Sequence, residues 1–453
     1  MTTPRRPSGA RHPGRAPASR ETFSSRFGLL VTMIGVAVGL GNVWRFPYMA
    51  GEFGGAPFVL FYVLMAALVG VPALMAEWTL GRATRRGPVG AFVVAGVPGG
   101  RLIGWCFFAV VLAATAYYTN AVGWVLFHAA AEVAGVVGLD IDPSRVLPPA
   151  EGFDAGSFAR QLASTGVVIA ACAAVLLKGL RRGIEKISGI VLPILLVILC
   201  VLIVRGLTLD GAAAGVEWYV LKFDASALSG SVMLAALGQA VFSLSLGGTY
   251  MVVYGSYLRE DEPLLSGAAW TAAGDITAGL LAGLAIFPAV FALGLEPAAG
   301  PGLLFSTLPA VFDGIPAGAV FGLLFFTGLA GAAWLSDIAA FEVLIAGLTD
   351  NTGLSRRQAV IGCAATVFVL AIPSMINMRI FVPWDLAFGS GMQTIGALIA
   401  ALTVGWALGR GRALRQAGAS ALLLFWVRFV VPSAILLVGI WWMLTDVLGV
   451  VVL

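Results

Sequence analysis

The feature that most constrains this chain is a succession of long apolar runs parted by short charged stretches. Only 11% of its 453 residues are charged and 59% are hydrophobic, whereas a soluble domain carries roughly 25% charged residues. Such a chain cannot cover itself with water-loving surface and belongs in a lipid bilayer, where about 20 apolar residues make one helical crossing. In hydrocarbon the backbone must satisfy its own hydrogen bonds, which leaves helices or a closed barrel. These runs are too long and too uniformly apolar for barrel strands. The expected fold is therefore an all-α integral membrane protein with eleven spans, at 27–51, 56–81, 102–136, 160–178, 184–206, 230–257, 265–294, 318–349, 356–375, 384–409 and 417–449. The third, sixth, seventh, eighth and eleventh exceed what a bilayer needs, so tilt or extension into water is expected.

Lysine and arginine set the orientation. With a cytoplasmic N-terminus, the inner loops collect Arg5, Arg6, Arg11, Arg15, Arg20 and Arg26, then Arg82, Arg85, Arg86 and Arg101, then Lys178, Arg181, Arg182 and Lys186, then Arg259, Arg356 and Arg357, and finally Arg410, Arg412 and Arg415. The opposite loops lean acidic, with Asp140, Asp142, Glu151, Asp154, Glu217, Asp224, Glu296 and Asp313. The net charge of +4 is thus a topology signal. Basic residues spread over alternate loops do not make the single patch that a nucleic acid needs. A multi-pass protein of the inner cell membrane follows, with its C-terminus outside. Residues 1–20 are rich in Pro, Arg and Ser and lack an apolar core, which predicts a disordered cytoplasmic tail and no cleaved signal peptide. The transporter-like body then runs over 21–453. Cys106, Cys172, Cys200 and Cys363 lie in apolar segments without CxxC spacing, so neither a disulfide framework nor a zinc site is expected. His12 and His128 are too far apart to suggest a metal cluster.

Two spans contain glycine clusters beside polar residues. In the first, Gly35-Val36-Ala37-Val38-Gly39-Leu40-Gly41-Asn42 sits at mid-span. In the sixth, Ser243-Leu244-Ser245-Leu246-Gly247-Gly248-Thr249 does the same. Small residues also serve close helix packing. Their position five helices apart, together with the hydroxyls and Asn42, instead predicts two inverted five-helix repeats, 21–208 and 230–409, each with a broken helix, followed by helix 11 at 417–449. This pattern is known from several transporter folds, including the one named below. An unwound stretch frees carbonyls for a cation, and the adjoining half-helix offers amides to a carboxylate. Asp275 lies within the seventh span, where an ionisable group is costly and marks a functional site by default. Glu77, Ser336, Asp337 and Glu342 are further candidates, with a structural pair near a helix end as the alternative for the two glutamates. In Tyr117-Tyr118, a phenol at mid-membrane needs a hydrogen-bond partner.

The run Arg26-Phe27-Gly28, Gly35 through Asn42, then Val43-Trp44-Arg45-Phe46-Pro47-Tyr48 resembles the first-helix signature of the neurotransmitter:sodium symporters. Gly238-Gln239-Ala240-Val241-Phe242-Ser243 resembles that family's sixth helix, Gly283-Leu284-Ala285-Ile286-Phe287-Pro288 its seventh, and Gly183 with Pro193 a feature of its fifth. The resemblance covers about residues 20 to 450 and is closest in form to the bacterial, eleven-helix amino-acid branch.

The resemblance implies a site. The substrate carboxylate meets the amides around Leu40 and Gly41 and the Tyr118 hydroxyl. The first sodium is held by the Ala37 carbonyl, the Asn42 amide, Ser243 and Asp275, oxygen ligands that suit a hard cation. Many members carry Asn where Asp275 stands, and some animal members add chloride beside it; the carboxylate supplies that charge, so no chloride is expected. The second sodium uses carbonyls of Gly35, Val38 and Ala332 with hydroxyls of the eighth helix. Here the chain departs from the family, with Leu335 at the usual ligand position and Ser336 remaining. Either one side-chain ligand is lost or Asp337 substitutes, so one or two sodium ions are expected. Arg45 with Asp385 correspond to the outer gate, and Arg20 with Asp350 to the inner one, with Tyr257 and Ser256 nearby.

An amine-only substrate is met in this family by a first-helix Asp, and that position is Gly39 here. The resemblance therefore implies an α-amino acid. Its side chain is expected to sit among Val38, Ala114, Phe242, Ser245, Gly248, Ser336 and Ala340, and the small residues at 114, 248 and 340 favour a large apolar or aromatic one. The implied function is chloride-independent, sodium-coupled symport by alternating access. The alternatives are a proton-coupled carrier of the same fold and an amino-acid sensor that does not transport. The HExxH, GxSxG and paired-histidine motifs of membrane-embedded enzymes do not occur, so no enzyme activity is expected.

Overall fold

The computed structural model describes residues 20–139, 141–223, 229–298, 303–409, 411 and 421–450. Residues 1–19 of the tail expected at 1–20, the loop charges Asp140, Asp224, Arg410, Arg412 and Arg415, and the start of the last expected span lie outside them. Every regular element among the described residues is helical.

The first span is two helices, α1 (Arg26–Ala37) and α2 (Gly41–Glu52), bent by 55° at the intervening residues. A kink this sharp needs a local cause. Val38 is extended at φ −71° and ψ 116°, and its N–H still bonds to the Ile34 carbonyl. Ser25 starts α1 by accepting the Gly28 N–H at 3.0 Å, the expected task of a serine at an N-cap. There follow α3 (Ala56–Thr84), the short α4 (Pro88–Val94), α5 (Gly100–Val136), α6 (Ala155–Leu176) and α7 (Leu180–Leu207). The sixth span is α8 (Gly230–Ser243) and α9 (Tyr250–Gly255) with the break between them. Next come α10 (Leu264–Ala292), α11 (Leu303–Asp313), α12 (Gly318–Asn351), α13 (Arg356–Met375), α14 (Met378–Ala407) and α15 (Ala421–Thr445).

Among the described residues, nine helices are long and apolar enough to cross a membrane, and the bent first pair makes ten. The further span expected at 230–257 consists of helical pieces of 14 and 6 residues, each too short to cross alone, and does not enter this count. The 37-residue α5 and 34-residue α12 run about 55 and 50 Å at 1.5 Å per residue, well beyond a hydrocarbon core of about 30 Å. These two pack along each other. Helix α7 lies against α12 and α10, while α3 supports both pieces of the sixth span. The two breaks thus sit inside the bundle, where unwound backbone at membrane depth can be satisfied by protein.

The sixth-span break holds three residues in the left-handed region, Ser245 (φ 52°), Gly247 (φ 89°) and Thr249 (φ 58°). For a residue with a Cβ this costs about 1–2 kcal/mol. The surroundings hold it in place. The buried Glu77 of α3 accepts the Gly247 N–H at 2.7 Å, and Ser245 Oγ donates to the Val36 carbonyl at 3.1 Å, stitching one break to the other. Gly247 also lies so close to α14 that a methyl group there would overlap the Gln393 carbonyl, and one on Gly396 would overlap the Gly247 carbonyl. Both positions therefore require glycine.

Candidate functional site

The two breaks face each other across a cavity of about 70 Å³. Ala37, Leu40 and Gly41 of the first span line it, with Ala114 and Tyr118 of α5, Phe242, Ser243 and Ser245 of the sixth span, and Ser336 and Ala340 of α12. Ten of the twelve residues named for substrate binding are thus brought together. Val38 and Gly248 are not among the lining residues. Val38 is fully buried, and the space beside Gly248 is filled by the ring of Tyr250. The room attributed to a glycine at 248 is therefore taken by its neighbour two residues on. The Tyr118 phenol lies within reach of the Leu40 amide and the Ser336 hydroxyl. A Cβ on Gly39 would run into Ser336 Oγ and stand 3.3 Å from the Tyr118 oxygen, so the absence of a side chain at 39 keeps this corner open.

Below the break, Asn42, Ser243 and Asp275 meet. Asn42 Nδ2 donates to Asp275 Oδ1 at 2.6 Å and to the Asp275 carbonyl and Ser243 Oγ at 3.0 Å each. Its Oδ1 accepts the Gly39 N–H at 3.0 Å, so one amide side chain both holds the break and joins the cluster. Ser243 Oγ lies 2.8 Å from Asp275 Oδ2. All three residues are buried, Asp275 completely. Tyr62 of α3 completes the group, its phenol 3.1 Å from Asp275 Oδ2 and 3.3 Å from Ser243 Oγ. From α8, Gln239 Nε2 donates to the Gly41 carbonyl at 2.9 Å. Tyr62 was not anticipated from the sequence, although the need of a buried phenol for a partner, the signal at Tyr118, applies to it equally.

The second cation position is poorer in oxygen. Ser336 Oγ sits 3.3 Å from the Val38 carbonyl and 3.5 Å from that of Val36. Leu335 and Ala332 are buried, and the Leu335 methyls pack beside Gly35. Asp337 does not substitute for the missing ligand. Its carboxylate points toward α5 and α6, with Thr119 Oγ1 2.9 Å from Oδ1 and the Cys172 thiol 3.5 Å from Oδ2. Adjacent positions on a helix face about 100° apart, so the neighbour of a ligand position cannot serve it without a register change.

The gate residues divide. Arg20 Nη1 meets Asp350 Oδ2 at 2.6 Å, the same oxygen accepts the Gly87 N–H at 2.5 Å, and the guanidinium stands 4.9 Å above the Tyr257 ring. Tyr257 donates to Glu342 at 2.5 Å, and Arg356 pairs with Glu342 at 2.6 Å. Glu342 is thus one of a structural pair, and Arg356, counted above only as a topology charge, belongs to this plug. Ser256 lies next to this plug, joined to Arg20 through Arg85, whose carbonyl accepts from Arg20 at 3.1 Å. Its hydroxyl bonds to the Val253 carbonyl of its own helix, and its backbone carbonyl accepts from Arg85 at 3.1 Å. At the opposite end, Arg45 and Asp385 form no ion pair within 4.0 Å. The Arg45 guanidinium instead lies 4.2 Å above the Phe242 ring, a cation–π arrangement. Both residues line a vestibule of about 320 Å³ that shares Leu40, Tyr117, Tyr118, Phe242 and Gln393 with the smaller cavity. The cavity is therefore closed toward Arg20 and approached from the Arg45 side.

Comparison with known proteins agrees with this geometry. The sodium:neurotransmitter symporter family model matches residues 20–136 and 150–441. An uncharacterized sodium-dependent transporter of Bacillus subtilis, YhdH, is 31% identical over 443 residues, covering 92% of this chain and 96% of its own. The creatine transporter of Torpedo marmorata is 25% identical over 471 residues, covering 91% of this chain and 76% of its own. The crystal structure of MhsT in complex with L-phenylalanine superposes with a TM-score of 0.80 at 35% identity, covering 93% of this chain and 99% of that one. With its broken helices, polar cluster and family match over most of its length, the chain is a multi-pass membrane protein that belongs to the sodium:neurotransmitter symporter family.

Proposed function

We propose that this protein is a chloride-independent symporter that couples sodium entry to uptake of an α-amino acid with a large apolar or aromatic side chain. The observation that carries this reading is the meeting of Asn42, Ser243 and Asp275 directly beside the cavity formed by the two breaks. A cation bound among these oxygens abuts the place where Leu40, Gly41 and Tyr118 offer donors to a carboxylate. Gly39 brings no charge of its own, so the substrate supplies it. Sodium and substrate carboxylate then stabilise each other, and each raises the other's affinity by the same factor. That MhsT binds L-phenylalanine supports an aromatic substrate. The N-terminus lies in the cytoplasm and the Arg45 side faces outward, following the loop charges. Coupling draws on the membrane potential, about 2.3 kcal/mol per charge per 100 mV.

The test is uptake of labelled amino acids into proteoliposomes under an inward sodium gradient, with potassium as control. Sodium-driven accumulation of large apolar or aromatic amino acids is the expected result. Accumulation indifferent to sodium and collapsed by dissipating a proton gradient replaces this reading with a proton-coupled carrier, a second reading favoured by the apolar Leu335 beside Gly35. Binding without uptake makes the protein a sensor.

A further inference from the structure

The cavity contains more polar groups than its carboxylate and cation corners use, and their hydrogen bonds can be traced one by one. The Ser245 hydroxyl donates to the Val36 carbonyl at 3.1 Å. Ser336 Oγ is directed at the Val36 and Val38 carbonyls. Thr115 Oγ1 donates back to the Val111 carbonyl at 2.7 Å. Two groups remain. The Tyr250 phenol and the Gln393 carboxamide both line the cavity, and neither side chain has a hydrogen-bond partner among the described residues. Both residues are only partly buried; an occupant of the cavity that covers them without offering a hydrogen bond strands them at a cost of about 1–3 kcal/mol each, so the occupant that fits best is one that satisfies them.

Their position in the cavity narrows what that occupant is. The Tyr250 ring fills the space beside Gly248, so the phenol is set by packing and not free to swing away. It lies close enough to Asp337, Tyr117 and Tyr118 to interact with them electrostatically. Ala114 and Ala340 contribute only methyl groups to the cavity wall. The cavity is an apolar slot with two unpartnered polar side chains on its wall.

We propose that Tyr250 and Gln393 form a subsite for the far end of the substrate side chain and select an α-amino acid whose ring carries a hydrogen-bonding group, tyrosine over phenylalanine. This inference rests on the amino-acid reading above. A site built to hydrogen-bond a substrate hydroxyl rejects the analogue lacking it far more strongly than an apolar slot rejects an added one, because its own polar groups are then stranded.

The experiment is calorimetric titration of the purified protein in sodium with L-tyrosine, L-phenylalanine and L-leucine, repeated for Tyr250→Phe and Gln393→Leu. Tyrosine binding at least tenfold tighter than phenylalanine is expected, with each variant losing at least fivefold more affinity for tyrosine than for phenylalanine. Equal affinity for the two aromatics, a tyrosine preference that neither variant moves, or binding of leucine without tyrosine overturns the subsite and leaves the amino-acid reading in place. Sodium-dependent binding of none of the three overturns both.

Discussion

The Arg20 guanidinium and the Asp350 carboxylate, 330 positions apart in the chain, meet at 2.6 Å, whereas Arg45 and Asp385 at the other end form no ion pair within 4.0 Å. The cavity is thus closed by an ion pair at one end and opens on a vestibule at the other, the asymmetry that the proposed alternating access needs in any one state. The lock is more than one ion pair, since Asp350 also holds the Gly87 amide and Tyr257 reaches on to Glu342 and Arg356. Breaking Arg20–Asp350 with Arg20→Ala removes about 1 kcal/mol from the closed arrangement, typical of a partly solvated pair. Labelling of a cysteine placed in the cavity from the Arg20 side is expected to rise about fivefold. Unchanged labelling means that Glu342–Arg356 carries the closure alone.

Asp275 is a completely buried carboxylate whose partners are the Asn42 amide and the hydroxyls of Ser243 and Tyr62. Asp275→Asn keeps the shape and removes the charge that a cation in this cluster uses. Charged hydrogen-bonding partners contribute about 1.5–3 kcal/mol, so sodium affinity is expected to fall at least tenfold in a binding titration. Replacing chloride by gluconate is expected to leave wild-type uptake unchanged. In the variant, added chloride is expected to restore part of the activity, because the missing negative charge can be supplied from solution.

Leu335 packs its methyls beside Gly35 where an oxygen ligand is usual. Leu335→Thr offers a hydroxyl there and is expected to raise the Hill coefficient for sodium in uptake assays, with Leu335→Ala as the control that changes volume alone. Equal effects of the two substitutions assign the change to packing.

Gly247 adopts φ 89° against the Gln393 carbonyl. Gly247→Ala combines a left-handed conformation with a direct overlap, a burden of several kcal/mol by the usual cost of about 1–3 kcal/mol for backbone strain. A marked fall in melting temperature in detergent, accompanied by loss of sodium-dependent substrate binding, is the expected outcome. Gly353→Ala, at an open surface position, is expected to leave both unchanged.

Much of the architecture was readable from periodicity and composition because a bilayer imposes one solution on each apolar run. The expected limits of 102–136 for the third span and 318–349 for the eighth differ by two residues or fewer from Gly100–Val136 and Gly318–Asn351. The breaks were readable because glycine and hydroxyl clusters at membrane depth have few other uses. Only the family resemblance links Asn42, Ser243 and Asp275 in the sequence, since nothing in their spacing of 201 and 32 positions says that they touch.

What the sequence by itself determined is the number of apolar runs, the places where two of them cannot remain helical, and which buried residues carry charge. Those are local properties, set by side-chain chemistry against a hydrocarbon solvent. Only the tertiary structure decided that Asp337 faces Thr119 and Cys172 and not the second cation position, that Tyr62 joins Asp275, and that Tyr250 fills the space left at Gly248. Each depends on which face of one helix meets which face of another. That choice is made by packing among residues hundreds of positions apart, and a run of apolar letters does not record it.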